Sequence, residues 1–221
     1  MFTSGPFRLI VFDLDGTLVD SRRDIADAAN ELLTACGATP LSEERIGRMV
    51  GEGAATLVQR AFAAAGMTPP EDALARYLTF YERQLLDHTR PYPGMTDVLD
   101  VLTMRATLAV LTNKPLAATR RILEGLDLAR HFAVDRVIGG DGAFARKPEP
   151  AGLLYLMSAA GVTAGATLLV GDSAIDWRTA RSASTAICMA RYGFGYDGFP
   201  VDDLEPDDRV IDSPAGLLTI S

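Results

Sequence analysis

The sequence predicts an α/β fold: a doubly wound, Rossmann-like parallel sheet that carries an inserted all-helical cap domain. The first observation is the run Leu-Ile-Val-Phe at 9–12, which is apolar without alternation, as expected of a strand buried on both faces of a parallel sheet. The second is the regular alternation of helical and strand patterns after residue 95. The third is segment 19–89, which has helical spacing of apolar residues and no convincing strand. This helical segment therefore interrupts the sheet domain.

The predicted α/β core domain comprises residues 1–18 and 90–221, and the predicted helical cap domain comprises residues 19–89. Ser21 followed by Asp24 resembles a capping box before the first cap helix, and Thr68 with Glu71 opens the last one. The cap helices are expected at 22–36, 42–50, 54–65 and 71–87, followed by a linker at 90–94. In the core, helices are expected at 95–104, 116–126, 149–160, 175–183 and 214–219, and strands at 107–111, 134–138, 167–170, 185–189 and 209–211.

Composition excludes several classes of protein. The net charge of −8 argues against non-specific nucleic-acid binding, which depends on basic patches. No apolar run approaches the roughly 20 residues that span a bilayer, and residues 1–6 lack the features of a signal peptide. Two distant cysteines, Cys36 and Cys188, indicate a reducing compartment without a disulfide framework. We therefore expect a cytoplasmic protein that binds neither nucleic acid nor membrane.

Acidic residues follow the first predicted strand directly. Asp13 and Asp15 carry like charges at the carboxyl end of a buried strand, where open α/β sheets bind ligands. The end of strand 167–170 adds Asp172 and Asp176, which brings the number of clustered carboxylates to four. A bound Mg²⁺ ion, which prefers oxygen ligands, would offset their repulsion.

Lysine is rare in this chain, and its positions are informative. Of 21 basic residues only Lys114 and Lys147 are lysines. A lysine is a compact point charge, a property that arginine does not share. Lys114 follows a predicted strand, in Thr112-Asn113-Lys114-Pro115, and Lys147 precedes the predicted helix 149–160, in Arg146-Lys147-Pro148. Both are expected at the edge that carries the acids, where they offer binding sites for an anion.

These residues together resemble the motifs of the haloacid dehalogenase superfamily of phosphohydrolases, over essentially the full length of the chain. The matching motifs are Asp13-Leu14-Asp15-Gly16-Thr17, Thr112-Asn113-Lys114, Lys147-Pro148 and Gly171-Asp172-Ser173-Ala174-Ile175-Asp176. The resemblance implies that Asp13 attacks phosphorus and that Asp15 acts as acid and then as base. It also implies that Asp13, Asp172 and the backbone carbonyl of Asp15 bind Mg²⁺.

The resemblance implies supporting roles for the other motif residues. Lys147 would neutralise charge on the nucleophile and the phosphate. Asp176 and Ser173 would hold the metal-binding residues in place without binding the metal themselves. The phosphorylated substrate would contact Thr112 and the amide of Asn113. The remaining expected substrate contacts in the core are Gly16, Thr17 and Lys114.

The cap is expected to choose the substrate, and its run 48–62 is similar to the cap of phosphoglycolate phosphatases. Gly51 and Gly53 could offer backbone amides, and Arg48 a positive charge, to a small carboxylate. Alternatively, Gly51–Gly53 is only a turn between helices, and Arg48 and Arg60 are solvated. Among small phosphate monoesters, 2-phosphoglycolate is the substrate that this similarity leads us to expect. A phosphonoacetaldehyde hydrolase is excluded, because segment 19–89 contains no lysine for a Schiff base.

Other functions remain open at this point. A sugar-phosphate phosphatase, a pyrophosphatase and a phosphomutase share the same scaffold, whereas the acid at Asp15 argues against a dehalogenase. A phospho-accepting signalling domain would combine similar strand-end residues, but it would lack the helical insertion. The expected partner is a small phosphorylated metabolite, and the chain is expected to be a monomer or a homodimer.

Overall fold

The strands of the sheet lie in the order that a doubly wound fold requires. A computed structural model of the chain describes residues 7–199, 201–205 and 208–220, so the expectation for residues 1–6 lies outside the described residues. Within these ranges the strands, numbered in chain order, are β1 (Leu9–Phe12), β2 (Val19–Asp20), β3 (Arg90–Pro91), β4 (Thr107–Leu111), β5 (Val137–Ile138), β6 (Thr167–Gly171), β7 (Ala186–Ala190) and β8 (Arg209–Ile211).

Six of these strands form one parallel sheet in the order β5-β4-β1-β6-β7-β8, which confirms the predicted fold class. The first strand is central, with Phe12 opposite Val110 on one side and Val170 on the other. The chain builds outward from β1 in both directions, so the connections leave a crevice at its carboxyl end. The aspartates that follow β1 therefore face the expected ligand position.

Helices cover both faces of the sheet and form the insert. They are α1 (Arg22–Ala35), α2 (Glu43–Gly47), α3 (Ala54–Ala64), α4 (Ala73–Arg83), α5 (Met95–Leu102), α6 (Leu116–Gly125), α7 (Ala151–Ala160) and α8 (Ala174–Ser182). Side chains of β1 alternate between the two faces, as strand geometry requires. Ile10 and Phe12 belong to the apolar cluster that includes α5 and α6. Leu9 and Val11 belong to the opposite cluster, which includes α7 and α8. None of the helices among the described residues is long and apolar enough to cross a membrane.

The predicted helical insert is present and consists of α1–α4, in which α1 packs against the other three helices. The expectation of no strand in 19–89, and of a plain linker at 90–94, was wrong at both ends of the insert. The strand β2 pairs antiparallel with β3, with Val19 opposite Pro91 and Asp20 opposite Arg90. Two-residue strands carry no alternating pattern, so sequence periodicity could not detect them. The domain boundaries at 18/19 and 89/90 remain a prediction.

The predicted capping box of Ser21 and Asp24 was also wrong. Ser21 precedes α1 but makes no side-chain capping hydrogen bond. The buried carboxylate of Asp24 instead accepts hydrogen bonds from the backbone N–H groups of His88 and Thr89 and from the Thr89 hydroxyl, the last two at 2.7 Å. These three donors, which lie far along the chain, satisfy the carboxylate better than a local cap. Asp24 thereby joins the beginning of the insert to its end.

Other differences concern the ends of elements. The last cap helix covers only Ala73–Arg83, so Thr68 and Glu71 do not open it. Val134–Arg136 forms a 3₁₀ turn in which the Arg136 N–H donates to Ala133 O, and this leaves only Val137–Ile138 as a strand. The predicted helix at 214–219 is a 3₁₀ helix, Pro214–Thr219.

Candidate active site

The carboxyl ends of β1, β4 and β6 meet at one edge of the sheet and carry the predicted site residues. Asp13 continues β1, and its N–H donates to Val170 O of β6 at 2.9 Å. Thr112 continues β4 in the same way, through an N–H bond of 3.0 Å to Ile138 O of β5. Asp172 directly follows β6. Side chains that lie far apart in sequence are therefore brought together, as the strand-end pattern predicted.

Lys147 lies between two aspartates at the centre of the site. Its ammonium is 2.9 Å from Asp13 Oδ1 and 2.6 Å from Asp176 Oδ1. All three side chains are almost fully buried. The second oxygen of Asp176 accepts hydrogen bonds from the Ser173 N–H at 3.1 Å and from the Ser173 hydroxyl at 2.6 Å. Since Ser173 and Asp176 form the capping box of α8, the start of that helix fixes the orientation of Lys147.

The charges of this cluster are not balanced by protein groups alone. Carboxylate oxygens of Asp13, Asp172 and Asp176 lie within 4.8 Å of one another, and Lys147 supplies one positive charge. Burial raises the pKa of Asp13 to about 6; Lys147 opposes this shift, and Asp176 adds to it. Burial also raises the pKa of Asp172 well above its usual value, and repulsion from Asp176 and Asp13 acts in the same direction. Burial alone would lower the pKa of Lys147, but attraction to Asp13 and Asp176 raises it overall.

Three glycines pack around the carboxylate of Asp172. A Cβ added to Gly16 or Gly193 would lie 1.9 Å and 2.5 Å, respectively, from Asp172 Oδ2, so neither position accepts a side chain. Gly195 donates its N–H to the same oxygen at 2.8 Å. The hydroxyl of Thr17 lies 3.4 Å from Asp172 Oδ1. Gly16 and Thr17 were expected to contact the substrate. In the structure they contact Asp172, the aspartate that was expected to bind the metal.

Gly193 and Gly195 were not identified from the sequence. They lie in the loop after β7, which ends at Ala190, and this loop reaches the same edge of the sheet. The available signal was a Gly-x-Gly pattern in the loop after a buried strand, since glycine often marks a place where the backbone approaches a ligand or another chain segment closely. That pattern is common in proteins, so the sequence alone could not show that these glycines contact Asp172.

Asp15 is held by two side chains from different parts of the chain. Lys114 places its ammonium 2.9 Å from each carboxylate oxygen of Asp15, and the Ser21 hydroxyl donates to Oδ1 at 2.5 Å. The ammonium also lies 4.5 Å from the ring centroid of Tyr81, a residue of the insert. Lys114 is only 7% exposed, so it is not a solvated loop lysine.

The side-chain amide of Asn113 is fully used in contacts that hold the site together. Its Oδ1 accepts a hydrogen bond from the Lys147 N–H at 2.9 Å, and its Nδ2 donates to Lys147 O at 2.9 Å and to Gly51 O at 2.8 Å. Asn113 therefore links the Lys147 loop to the insert. Its backbone N–H donates to no backbone carbonyl among the described residues.

A cavity of about 320 Å³ lies between this edge of the sheet and the insert. Gly51 and Gly53 line it, whereas Arg48 does not and is exposed at the end of α2. The core contributes the predicted residues Asp13, Asp15, Thr112, Asn113, Lys114, Asp172 and Ser173. Sequence analysis missed the aromatic lining of Tyr77, Tyr81 and Phe194.

Comparison with known proteins agrees with this geometry. The family model described as haloacid dehalogenase-like hydrolase matches residues 10–190. A protein of Rhodospirillum rubrum named phosphoglycolate phosphatase is 42% identical over 196 residues, covering 85% of this chain and 80% of that protein. A protein of Agrobacterium fabrum with the same name is 38% identical over 221 residues, covering 97% and 93%.

The comparison of structures gives the same result. The crystal structure of a predicted phosphoglycolate phosphatase from Haemophilus somnus has a TM-score of 0.90 and 32% identity, and the match covers 98% of this chain and 99% of that one. The similarity therefore includes both the sheet and the insert. On the family model, the sequence relatives and this fold, the chain belongs to the haloacid dehalogenase-like hydrolase family.

Proposed function

We propose that this protein is a Mg²⁺-dependent phosphatase that hydrolyses 2-phosphoglycolate through a phosphoryl intermediate on Asp13. The observation that carries the proposal is the buried contact between Asp13 and Lys147 at the carboxyl end of β1. A buried aspartate whose oxygen is held by a lysine beside a cavity is suited to covalent catalysis at phosphorus.

In the first step an oxygen of Asp13 attacks phosphorus, and the bond between phosphorus and the ester oxygen breaks. The contacts of Asp13 with Lys147 and with the Leu14 N–H, at 2.9 and 2.7 Å, both involve Oδ1. They fix the orientation of the carboxylate and leave Oδ2 for the attack. Asp15, which also lines the cavity, supplies the proton that the leaving oxygen needs.

In the second step water attacks the phosphorus of the aspartyl-phosphate. Asp15, which gave up its proton in the first step, removes the proton from this water. Phosphate is released, and Asp13 is regenerated. Thr112 and the backbone N–H of Asn113 contact the phosphoryl oxygens, and Lys147 offsets the charge that accumulates on them.

The residues of the site fit a Mg²⁺ ion. The ion prefers oxygen ligands, and the buried carboxylates of Asp13 and Asp172 offer them beside the backbone carbonyl of Asp15. Burial, together with repulsion among the acids, raises the pKa values of Asp13 and Asp172. A bound Mg²⁺ ion would supply positive charge and polarise the phosphoryl group. Asp176 supports the cluster through Lys147 and Ser173.

The preference for 2-phosphoglycolate is supported by the names of the relatives that are 42% and 38% identical to this chain. The cavity of about 320 Å³ has room for a small monoester. The names of the relatives favour phosphoglycolate over the sugar phosphates, pyrophosphate and the phosphomutase reaction. We place the protein in the cytoplasm and expect it to act alone or as a homodimer.

A substrate panel tests the proposal. Phosphate release is measured with excess Mg²⁺ for 2-phosphoglycolate, a hexose phosphate, pyrophosphate and ethyl phosphate. The expected result is a kcat/KM for 2-phosphoglycolate at least about tenfold above every other compound, with activity abolished by EDTA. The exposed Glu71 gives the control variant Glu71→Gln, which should match the wild type. A higher kcat/KM for any other compound would overturn the substrate assignment.

A further inference from the structure

The cavity is rich in acids and poor in cations. Among the described residues that line it, Lys114 is the only cation, whereas Asp13, Asp15, Asp172 and Glu82 are acids. Glu82 is exposed and lies 3.5 Å from Arg121 in an ion pair. The side of the cavity formed by the insert is otherwise mainly apolar, as Ile25, Val50, Leu57 and Leu78 illustrate.

A carboxylate that enters such a cavity needs a positive partner. Burial of an unpaired carboxylate costs several kcal/mol. 2-Phosphoglycolate carries its carboxylate one methylene group away from the ester oxygen, so the two groups cannot lie far apart. The ester oxygen is the atom that Asp15 protonates, and the carboxylate must therefore bind close to Asp15.

Lys114 is the cation next to Asp15. Its ammonium lies 2.9 Å from both oxygens of that carboxylate, under the ring of Tyr81. An ammonium group has three N–H donors, so two contacts with Asp15 leave a third. The ammonium is a compact point charge, whereas a guanidinium is planar and larger.

Arg48, Arg60 and Arg146 do not line the cavity, although the guanidinium of Arg146 packs against Gly53, which does. Arg48 is exposed and does not line the cavity. Arg60 lies 2.5 Å from Glu52 at the surface. Arg146 is exposed and donates to Gly140 O at 2.6 Å. Lys147, the other lysine, is held between Asp13 and Asp176.

We propose that Lys114 binds the substrate carboxylate and thereby selects phosphate monoesters that carry an acid group one carbon away from the ester oxygen. This inference rests on the proposed function, since it concerns the preference for 2-phosphoglycolate. It transfers to Lys114 the role that the sequence suggested for Arg48. Lys114 holds Asp15 and the substrate at once, so its replacement affects two properties that the experiment must separate.

A comparison of two substrates separates them. Ethyl phosphate has the same ester oxygen as 2-phosphoglycolate but a methyl group in place of the carboxylate. Lost support of Asp15 lowers kcat/KM for both compounds, whereas lost carboxylate binding lowers it only for 2-phosphoglycolate. The ratio of the two kcat/KM values therefore reports on carboxylate recognition alone. It is measured for the wild type, Lys114→Met and the control Arg48→Met.

The expected result is a fall of about 100-fold in this ratio for Lys114→Met and a ratio within about threefold of the wild type for Arg48→Met, as for an exposed charge. An unchanged ratio in Lys114→Met, with both substrates equally impaired, would overturn the inference and reduce Lys114 to a residue that positions Asp15. A fall confined to Arg48→Met would overturn it in favour of the cap arginine.

A measurement on the wild type alone guards against misfolding of the variant. The carboxamide analogue of 2-phosphoglycolate removes the charge from the substrate instead of from the enzyme. Its kcat/KM should fall by about the same 100-fold, and a full retention of kcat/KM would contradict the inference. The proposed function fails separately, when the wild type itself shows no preference for 2-phosphoglycolate over ethyl phosphate.

Discussion

Replacement of Asp13 by asparagine is expected to abolish activity and, at the same time, to stabilise the metal-free protein. The substitution preserves the shape of the side chain and removes one negative charge from a cluster that contains Asp172 and Asp176. It also weakens the contact with Lys147, which retains its contact with Asp176. The pKa of Asp13 shows which of these effects dominates.

The magnitude follows from linkage between protonation and folding. The pKa of Asp13 rises from 3.8 to about 6 in the folded protein, chiefly because of burial. The folded state therefore holds a proton that the unfolded state has already released, and the free energy of unfolding falls as the pH rises through this window. Each pKa unit corresponds to about 1.4 kcal/mol, so the ionised Asp13 costs the folded protein about 3 kcal/mol above pH 6. The asparagine of the variant does not titrate and avoids this cost.

The assay is urea denaturation in EDTA at a series of pH values, with thermal denaturation as a second probe. Above pH 6, Asp13→Asn should be about 3 kcal/mol more stable than the wild type, which corresponds to a melting temperature about 6–12 °C higher for a chain of this length. The difference should vanish near pH 4. Excess Mg²⁺ should stabilise the wild type more than the variant, because it binds the folded cluster. Glu71→Gln, at an exposed position, should show none of these effects.

A lower stability of Asp13→Asn than of the wild type, measured in EDTA at pH 7.5, would refute this reasoning. That outcome would mean that the contact with Lys147 outweighs burial and repulsion from the neighbouring acids. The cluster would then be balanced without a cation, and the case for Mg²⁺ from charge would be lost.

Two further predictions concern residues that hold the insert and the site in place. Asn113→Ala should lower the free energy of unfolding by about 2–4 kcal/mol, because Lys147 and Gly51 lose their hydrogen bonds to the side chain of Asn113. In the same variant kcat should fall by a larger factor than KM rises. An unchanged kcat would contradict the positioning of Lys147 by Asn113. Asp24→Ala should cost about 3–5 kcal/mol, because buried donors of Thr89 lose a charged acceptor. Asp24→Asn keeps an acceptor oxygen, so its free energy of unfolding, measured by urea denaturation, should fall by less than that of Asp24→Ala. Equal losses of stability in the two variants would argue against the Asp24 carboxylate as the acceptor that stabilises the end of the insert.

Much of the core site could be predicted from the sequence because parallel strands bring their carboxyl ends together. Asp13, Thr112 and Asp172 each follow a buried strand, and β1, β4 and β6 are neighbours in the sheet. The apolar runs of the strands identify them, and the sheet geometry then determines where the polar residues that follow them lie. At these three positions the placement expected from the strand pattern is the placement that the structure shows.

The remaining features depend on contacts that no local pattern encodes. Asp24 has the spacing of a capping residue, but its donors come from residues 88 and 89 at the far end of the insert. Lys114 was expected to contact the substrate, and its contact with Asp15 could not be foreseen from the sequence. The aromatic lining by Tyr77 and Tyr81 follows the helical spacing of core residues, so the sequence could not distinguish cavity from core.

The most direct test of the central claim is detection of the phosphoryl intermediate on Asp13. Enzyme and 2-phosphoglycolate labelled at phosphorus are mixed with Mg²⁺, quenched in acid within a single turnover and digested for mass spectrometry. We expect an acyl-phosphate on the peptide that contains Asp13, sensitive to hydroxylamine, and neither label nor phosphate release in Asp13→Asn. Phosphate release by Asp13→Asn at the wild-type rate, without a labelled peptide in either protein, would contradict the claim.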